Sequence, residues 1–321
     1  MNIELYKEEF LNFLNKKVEV KEPKNLYQPI DYILQLGGKR LRPVLVLLVN
    51  DLFGGKIQEA MPAALAIEVF HNFTLIHDDI MDKAPIRRGK PTVHKKWNEN
   101  IGILSGDAML ILAYQYLESY TGEMFKNLST LFSKTAMEVC VGQQMDMDFE
   151  TKNDVEITEY LEMIKNKTSV LVAAAMQMGA IIAGTKKNET EAIYNFGLNL
   201  GLAFQLQDDY LDTFGNQNEF GKRIGGDIDE NKKTYLYLKT LELANDTDKS
   251  QLVYLYNSKG TTSKVEKVTH LFKKYKVDNL IKNEIEIYTH NAFEYLDELE
   301  ISNDKKQVLK DFGTGLMTRT L

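Results

Sequence analysis

Three aspartates lie close together in the segment HDDIMD, residues 77–82. Asp78 and Asp82 are four residues apart, so on a helix they share one face with their Cβ atoms about 5–6 Å apart. Pro85 ends such a helix soon after Asp82, where the negative end of the helix dipole also repels carboxylates. Repulsion between the two carboxylates and repulsion by the helix dipole are both unfavourable, so the pattern predicts a bound cation at this helix end.

The same spacing occurs a second time in FQLQDDYLD, residues 204–212. The first acidic set is Asp78, Asp79 and Asp82, and the second acidic set is Asp208, Asp209 and Asp212. Oxygen ligands without a His or Cys partner at matching spacing favour a hard cation, Mg²⁺ or Mn²⁺, whose shell is shared with substrate phosphates. The alternative is two solvated helix ends. Two such sets, each ending an apolar helix, favour the metal and predict a phosphorylated ligand.

A basic segment, LGGKRLRP at residues 36–43, precedes an apolar stretch. It supplies Lys39, Arg40 and Arg42, and Pro43 suits a first helical turn, where backbone N–H groups and the helix dipole receive anions. The spacing is not that of a Walker A loop. An anion site is one interpretation of this segment, and an ordinary basic surface turn is the other.

Further basic residues follow each acidic set. Arg87 and Arg88 lie in RRGK, and guanidinium groups suit bidentate contact with phosphate. The segment GNQNEFGKRIGGDIDENKK, residues 215–233, carries Lys222 with Arg223 and Lys232 with Lys233. Its glycines and asparagines predict a mobile lid that closes on substrate, with an ordinary solvated loop as the alternative.

The elements that must position these residues are predicted to be helices. Leu65, Val69, Phe73 and Ile76 follow helical spacing, whereas alternating β-branched runs are scarce. The 321 residues show no internal repeat and no linker, so we expect one all-α domain spanning 1–321, with about ten or more helices. Residues 168–185 carry no charge, but their Ala, Gly, Ser and Thr content favours a buried helix over a membrane span.

Composition narrows the function classes. A net charge of −7 argues against general nucleic-acid binding. The single cysteine, Cys140, excludes an internal disulfide and fits a reducing cytoplasm. The first residues predict an amphipathic helix rather than a signal peptide. No Ser/His or Cys/His signature of nucleophilic catalysis is evident.

The order GGKRLRP, LIHDDIMD with RRGKPTVH, and FQLQDDYLD with GK and GGDIDENK resembles the trans-isoprenyl diphosphate synthase family over nearly the whole chain. The resemblance implies a bundle of antiparallel helices around a deep central cavity, usually in a homodimer. It also implies Mg²⁺-dependent, head-to-tail condensation of isopentenyl diphosphate with an allylic diphosphate such as dimethylallyl, geranyl or farnesyl diphosphate. Terpene cyclases share only the first acidic motif, and squalene and phytoene synthases use a wider spacing.

The resemblance also assigns roles to individual residues. Three Mg²⁺ ions are implied at Asp78, Asp82 and Asp208, with Asp79, Asp209 and Asp212 as nearby or water-mediated ligands. The allylic diphosphate is implied to contact Arg87, Lys167 and Lys222. Isopentenyl diphosphate is implied to contact Gly38, Lys39, Arg42, His71 and Arg88. Thr168, Phe204 and Gln205 are implied to lie near the reacting carbons, and Lys232 matches a basic position in the closing loop. His77 is expected to be structural.

Product length in the family depends on side chains below the first acidic set. Phe73 and Thr74 precede Asp78 by five and four residues, about 6–7.5 Å along a helix axis. A large Phe73 beside a small Thr74 resembles synthases of geranylgeranyl diphosphate, with farnesyl diphosphate as the alternative product. Two other functions stay open: a non-catalytic subunit of a heteromeric prenyl synthase, and a terpene cyclase.

Overall fold

Helices form nearly all regular structure in the computed structural model, which describes residues 3–215, 224–258 and 262–318. This confirms the all-α prediction. Residues 85–91 contain a short antiparallel hairpin of β1 (Ile86–Arg87) and β2 (Lys90–Pro91). Gly89 has a φ of +74° between the two strands, a conformation that glycine adopts without strain and that lets the chain reverse there.

The chain divides into two compact units, each described here by itself. The first unit comprises the described residues of Met1–Ala136 and Leu171–Tyr194, and the second comprises those of Met137–Val170 and Asn195–Leu321. Three helices continue from one unit into the other. The single domain expected for residues 1–321 stays a prediction.

The first unit contains the first acidic set and most of the basic motifs. Its elements are α1 (Ile3–Lys17), α2 (Lys24–Gln35), α3 (Leu41–Leu52), α4 (Ile57–Met81), the hairpin, α5 (Val93–Lys96), α6 (Glu99–Leu117) and parts of α7 (Gly122–Thr151), α9 (Val170–Ile182) and α10 (Lys187–Phe214). All residues from Pro43 to Asn50 in α3 are buried, and α4 is buried along most of its length. Helices that are apolar on all sides form the centre of a core, so α3 and α4 are rigid supports for the residues at their ends.

Helix α9 corresponds to the uncharged segment 168–185, and its residues from Leu171 to Ala175 are buried. A Cβ added at Gly179 would lie 2.4 Å from the carbonyl oxygen of Val46, so glycine permits α9 to contact the backbone of α3. Among the residues that the structure describes, no helix is long and apolar enough to cross a membrane. The prediction of a buried helix is therefore confirmed.

The second unit contains the second acidic set. Its elements are the remainder of α7, α8 (Ile157–Ile164), a π turn (Lys165–Ser169), the remainder of α10, α11 (Gly226–Asp229), α12 (Tyr235–Leu243), α13 (Asp246–Tyr256), α14 (Thr262–Lys274), α15 (Val277–Asp297) and α16 (Asn303–Thr318). A core that includes Ile164, Leu206, Leu236, Phe272 and Ile281 joins these helices. This core fixes the C-terminal half of α10, which carries the acidic set.

Both helices that carry an acidic set end where the sequence predicts. Helix α4 ends at Met81, and the carbonyl oxygens of Asp78 and Asp79 accept the N–H groups of Asp82 and Ala84 at 2.9 Å. Helix α10 ends at Phe214, and Gly215 donates its N–H to the carbonyl oxygen of Leu211 at 2.9 Å. Each acidic set therefore occupies the last turns of a long helix, as the sequence predicts.

Candidate active site

The first acidic set is held by a guanidinium group. Arg87, on the hairpin, donates from Nε to Asp79 Oδ2 at 2.8 Å and from Nη2 to Asp78 Oδ2 at 3.3 Å. Its Nη2 also lies 2.8 Å from Asp79 Oδ1. Burial raises the pKa of Asp79, and the bond and charge of Arg87 oppose that rise. Arg87 therefore compensates much of the charge of Asp78 and Asp79, while Asp82 is exposed.

The hairpin brings its second arginine to the basic segment at the start of α3. Arg88 donates a hydrogen bond to the carbonyl oxygen of Gly37. A Cβ added at Gly38 would lie 2.8 Å from Arg88 Cζ, so the guanidinium lies directly on the glycine. Tyr32 donates to the carbonyl oxygen of Pro91 at 2.8 Å and anchors the hairpin. Two predicted motifs, LGGKRLRP and RRGK, thus form one surface.

His71 lies on α4 among the arginines of these motifs. Its Nε2 is 3.2 Å from Arg42 Nη1. Burial lowers its pKa well below the usual range, and the charges of Arg42, Arg88, Arg87 and Arg40 lower it further. His71 is therefore neutral at physiological pH. Burial likewise lowers the pKa of Arg42 to about 10, with Arg88 adding to the effect. Such a concentration of cations favours binding of an anion.

Arg40 has a different role from its neighbours in the sequence. It is buried at the start of α3 with a φ of +53°, and it forms an ion pair with Glu68 and a hydrogen bond with the carbonyl oxygen of Leu34. Asn72 donates to the same Glu68 carboxylate at 3.0 Å. Arg40 therefore fixes the turn that presents Arg42, whereas Lys39 is exposed.

The second acidic set has more negative charge around it. Tyr160 donates its hydroxyl to Asp209, and Asp227 donates its backbone N–H to Asp212 Oδ2 at 3.0 Å. Burial and the charge of Asp227 raise the pKa of Asp209 to about 8, although the bonds from Tyr160 and Gln205 oppose the rise. The same two causes raise the pKa of Asp212 to about 6. Burial and a further carboxylate, that of Asp227, therefore disfavour the charged forms of Asp209 and Asp212.

Lysine lies beside this set as well. Lys232 Nζ is 3.4 Å from Asp227 Oδ1 and 2.9 Å from Glu230 Oε2. Burial lowers the pKa of Lys232, but the charges of Asp227 and Glu230 outweigh burial and raise it above its ordinary value. Lys222 and Arg223 lie outside the described residues, so the lid stays a prediction.

Lys167 and Thr168 lie in the π turn, a helical irregularity that is frequent at functional sites. Lys167 donates to Asp146 Oδ2 at 2.6 Å. Phe204, Gln205 and Asp208 are all half-buried on α10. Gln205 forms a hydrogen bond with Asp209 on α10. Lys167 lies on the π turn of the same unit.

The chemistry of the acidic sets fits a divalent cation. Among residues 3–215, 224–258 and 262–318, no three His, Cys, Asp or Glu side chains form a ready-made metal site. Mg²⁺ does not need one, because it binds through one or two carboxylates and completes its shell with water and phosphate oxygens. Burial and the charge of Asp227 raise the pKa values of Asp209 and Asp212, and a bound cation would oppose that rise by stabilising their charged forms. The six predicted aspartates are thus chemically suitable ligands.

Three residues of this region escaped prediction from sequence. Asp227 lies in GGDIDENK, which we singled out as a motif without assigning the aspartate a role. Tyr160 and Asp146 gave no signal, since neither belongs to a recognised spacing. His77, expected to be structural, lies 3.2 Å from the carbonyl oxygen of Ile103 and packs against Gly106.

The model of the polyprenyl synthetase family matches residues 23–275. A geranylgeranyl diphosphate synthase of Sulfolobus acidocaldarius is 39% identical over 284 residues, which cover 87% of this chain and 86% of that protein. A crystal structure of a geranylgeranyl pyrophosphate synthase superposes with a TM-score of 0.95 at 52% identity and covers 99% of both chains. A geranylgeranyl pyrophosphate synthetase from Pyrococcus horikoshii Ot3 gives a TM-score of 0.92 at 34% identity, covering 98% of this chain and 96% of that one.

Proposed function

The chain belongs to the polyprenyl synthetase family and is a prenyltransferase, and from that premise we propose that it makes geranylgeranyl diphosphate. The proposed reaction condenses isopentenyl diphosphate head to tail with dimethylallyl, geranyl or farnesyl diphosphate and releases diphosphate. The observation that carries the proposal is the arginine cluster around neutral His71, next to Asp78 and Asp79. Such a site suits a diphosphate beside a metal-binding helix end.

Isopentenyl diphosphate is proposed to bind at the surface formed by the first two basic motifs. Arg42 and Arg88 supply charge, and exposed Lys39 adds a further cation. Gly38 leaves room for the Arg88 guanidinium, which a side chain would displace. Neutral His71 can donate or accept a hydrogen bond, so it can contact a phosphate oxygen without adding to the repulsion among the arginines.

The allylic diphosphate is proposed to bind through metal ions held by the aspartates. Arg87, Lys167 and Lys222 are the proposed cationic contacts, and Lys232 is proposed to join them when the lid closes. Enzymes of this family are metal-dependent in general. Three Mg²⁺ ions, or Mn²⁺ in their place, are proposed to be held by the six aspartates and to neutralise the charge of the departing diphosphate.

In the proposed reaction, the allylic C–O bond breaks and its electron pair leaves with the diphosphate. The double bond of isopentenyl diphosphate attacks the resulting allylic carbon, which forms the new C–C bond. A proton is then lost to the released diphosphate, which restores a double bond. The residues of the protein bind and orient both diphosphates, and apolar surroundings exclude water that would otherwise react with the allylic cation. Thr168, Phe204 and Gln205 are the proposed neighbours of the reacting carbons.

Product length is proposed to depend on Phe73, with Thr74 beside it. Phe73 is 8% exposed, and its ring centroid lies 4.8 Å from that of His77 and 5.5 Å from that of Phe70. Aromatic neighbours on two sides hold the Phe73 ring in place. Small Thr74 directs its hydroxyl to the carbonyl oxygen of His71 at 2.8 Å. A rigid ring beside a small residue favours geranylgeranyl diphosphate, with farnesyl diphosphate as the alternative.

A homodimer is proposed from the exposed face of α6. Ile103, Leu104 and Ile111 are exposed, and Leu104 and Ile111 share one face at a spacing of seven residues. A second copy of the chain would bury this apolar face, and a sedimentation experiment should show a dimer at micromolar concentration.

Cys140 is an exposed free thiol, which suits the proposed cytoplasmic location.

The experiment incubates purified protein with Mg²⁺, radiolabelled isopentenyl diphosphate and each allylic diphosphate in turn. We expect a butanol-extractable product whose chain contains twenty carbons after dephosphorylation. A twenty-carbon product would support the proposal, and a fifteen-carbon product would support the farnesyl alternative. Failure with every allylic diphosphate would favour the non-catalytic subunit, and a volatile hydrocarbon made without isopentenyl diphosphate would favour a terpene cyclase.

A further inference from the structure

Two glycines lie in direct contact with the backbone of the π turn. A Cβ added at Gly142 of α7 would lie 2.2 Å from the backbone nitrogen of Lys167 and 2.7 Å from its Cα. A Cβ added at Gly201 of α10 would lie 2.8 Å from the Cα of Ser169. Both glycines and Ser169 are buried. The π turn is therefore flanked by two helices that approach it as closely as their backbones permit.

Each of these helices carries a polar residue one turn beyond its glycine. Asp146 follows Gly142 by four residues and accepts a hydrogen bond from Lys167 Nζ at 2.6 Å. Gln205 follows Gly201 by four residues and bonds to Asp209. Residues four apart share a helix face. Gly142 and Asp146 therefore lie on the side of α7 that faces the π turn. Gly201 and Gln205 lie on one side of α10, near the π turn and the second acidic set. The close approach of each glycine to the π turn is thus coupled to the position of the polar side chain one turn further along the same helix.

We propose that Gly142 and Gly201 are positioning residues that set the place of Lys167 and Thr168 relative to the second acidic set. The proposal rests on the proposed function and extends it, because it assigns this role to two residues that never touch substrate. The π turn widens the helix by one residue and turns Lys167 toward α7. Contact with a glycine on each side leaves the turn no room to move.

Alanine at position 142 cannot be accommodated by rotation of a side chain, because the atoms it would meet belong to the backbone of Asn166 and Lys167. The π turn or α7 must move instead, and Lys167 moves with the turn. Gly313 of α16 provides a contrast in the same unit. A Cβ there would lie 2.9 Å from Phe293 Cε1 and 3.3 Å from Leu200 Cδ1, both of which are ends of flexible side chains.

The test compares Gly142→Ala with Gly313→Ala as the matched control. Both place a methyl group in a crowded helix of the second unit, but only the first displaces the π turn. For Gly142→Ala we expect kcat/KM for the allylic diphosphate to fall about ten- to hundredfold, while KM for isopentenyl diphosphate changes less than about twofold. Gly313→Ala should keep both values within about twofold of the wild type. Thermal unfolding of each variant identifies any general loss of stability.

A double-mutant cycle with Lys167→Met separates positioning from general damage. If Gly142 acts through Lys167, Gly142→Ala should add less than about twofold to the loss that Lys167→Met already causes. Additive losses, equal losses with both substrates, or wild-type kinetics in Gly142→Ala would overturn the inference. These results all require an active wild type. An inactive wild type would instead refute the proposed function, so the two failures are distinguishable.

Discussion

The two acidic sets share one spacing but differ in their surroundings. In the first unit, Arg87 pairs with Asp79 and Asp78, so a guanidinium belongs to the folded protein. In the second unit, burial and the carboxylate of Asp227, a fourth beside the three of the set, raise the pKa of Asp209 to about 8. Asp227 thus adds repulsion, whereas Arg87 adds attraction in the first set. The two acidic sets thus have the same spacing in the sequence but differ in the charges that surround their carboxylates.

The difference predicts that the two acidic sets respond differently to metal and to loss of a nearby protein cation. Arg87 pairs with the first set in the absence of any ligand, and we expect part of that pairing to be exchanged for metal and diphosphate. Asp209 and Asp212 in the second set have raised pKa values, so a bound cation should stabilise their charged forms more. We therefore expect the second set to respond more strongly to metal, and the first to depend more on Arg87.

The largest effect is expected from removing one carboxylate from each set. Asp78→Asn and Asp208→Asn should each lower kcat/KM about a thousandfold, because each removes a proposed ligand of the metal that would stabilise the departing diphosphate. Steady-state assays with saturating Mg²⁺ measure this. Asp246→Asn, at an exposed aspartate in the first turn of α13, is the control and should remain active. Full activity in either of the first two variants would remove its set from the mechanism.

Removing Arg87 should leave the first acidic set without the guanidinium that pairs with Asp78 and Asp79. Arg87→Met leaves buried Asp79 without its cation, and breaking such a pair destabilises the metal-free protein by about 3 kcal/mol. Urea unfolding in EDTA measures the loss, and added Mg²⁺ and diphosphate should restore part of it. Arg87→Lys retains the charge and should lose less. A stability unchanged by Arg87→Met would show that Asp79 does not depend on this ion pair.

The pH dependence of stability tests the second set. A carboxyl group whose pKa is raised by folding binds more protons folded than unfolded, so stability falls as pH rises through the folded pKa. With Asp212 at about 6 and Asp209 at about 8, the metal-free protein should lose stability between about pH 5 and pH 8, by at least about 1.4 kcal/mol. Unfolding in EDTA at several pH values measures this. Asp209→Asn should flatten the curve, and an equally steep curve in that variant would contradict the charge assignment.

The smallest effect on catalysis is expected at the position five residues before each set, where the sets again differ. Phe73 precedes Asp78, whereas Ala203 precedes Asp208 and is already small. Phe73→Ala should lengthen the product with little change in total turnover, because it removes the ring held by His77 and Phe70. Chromatography of the dephosphorylated products measures chain length. An unchanged product distribution would exclude Phe73 as the residue that limits length.

Helix periodicity, helix ends and repeated spacings were predictable because they depend on neighbours in the chain. The ends of α4 and α10 and the buried α9 follow from these local signals. Contacts between distant residues were not predictable. The pairing of Arg40 with Glu68, the approach of Gly142 to Lys167 and the charge of Asp227 beside Asp209 depend on how helices pack. No spacing in a single sequence encodes them.

The central proposal is that both acidic sets bind metal. Crystals grown with Mn²⁺ and a non-ionising thiolo analogue of farnesyl diphosphate test it directly, because anomalous scattering locates the manganese. We predict manganese peaks bound by Asp78 and by Asp208, each also coordinated by diphosphate oxygens. Manganese at only one set, or at neither set, would contradict the account.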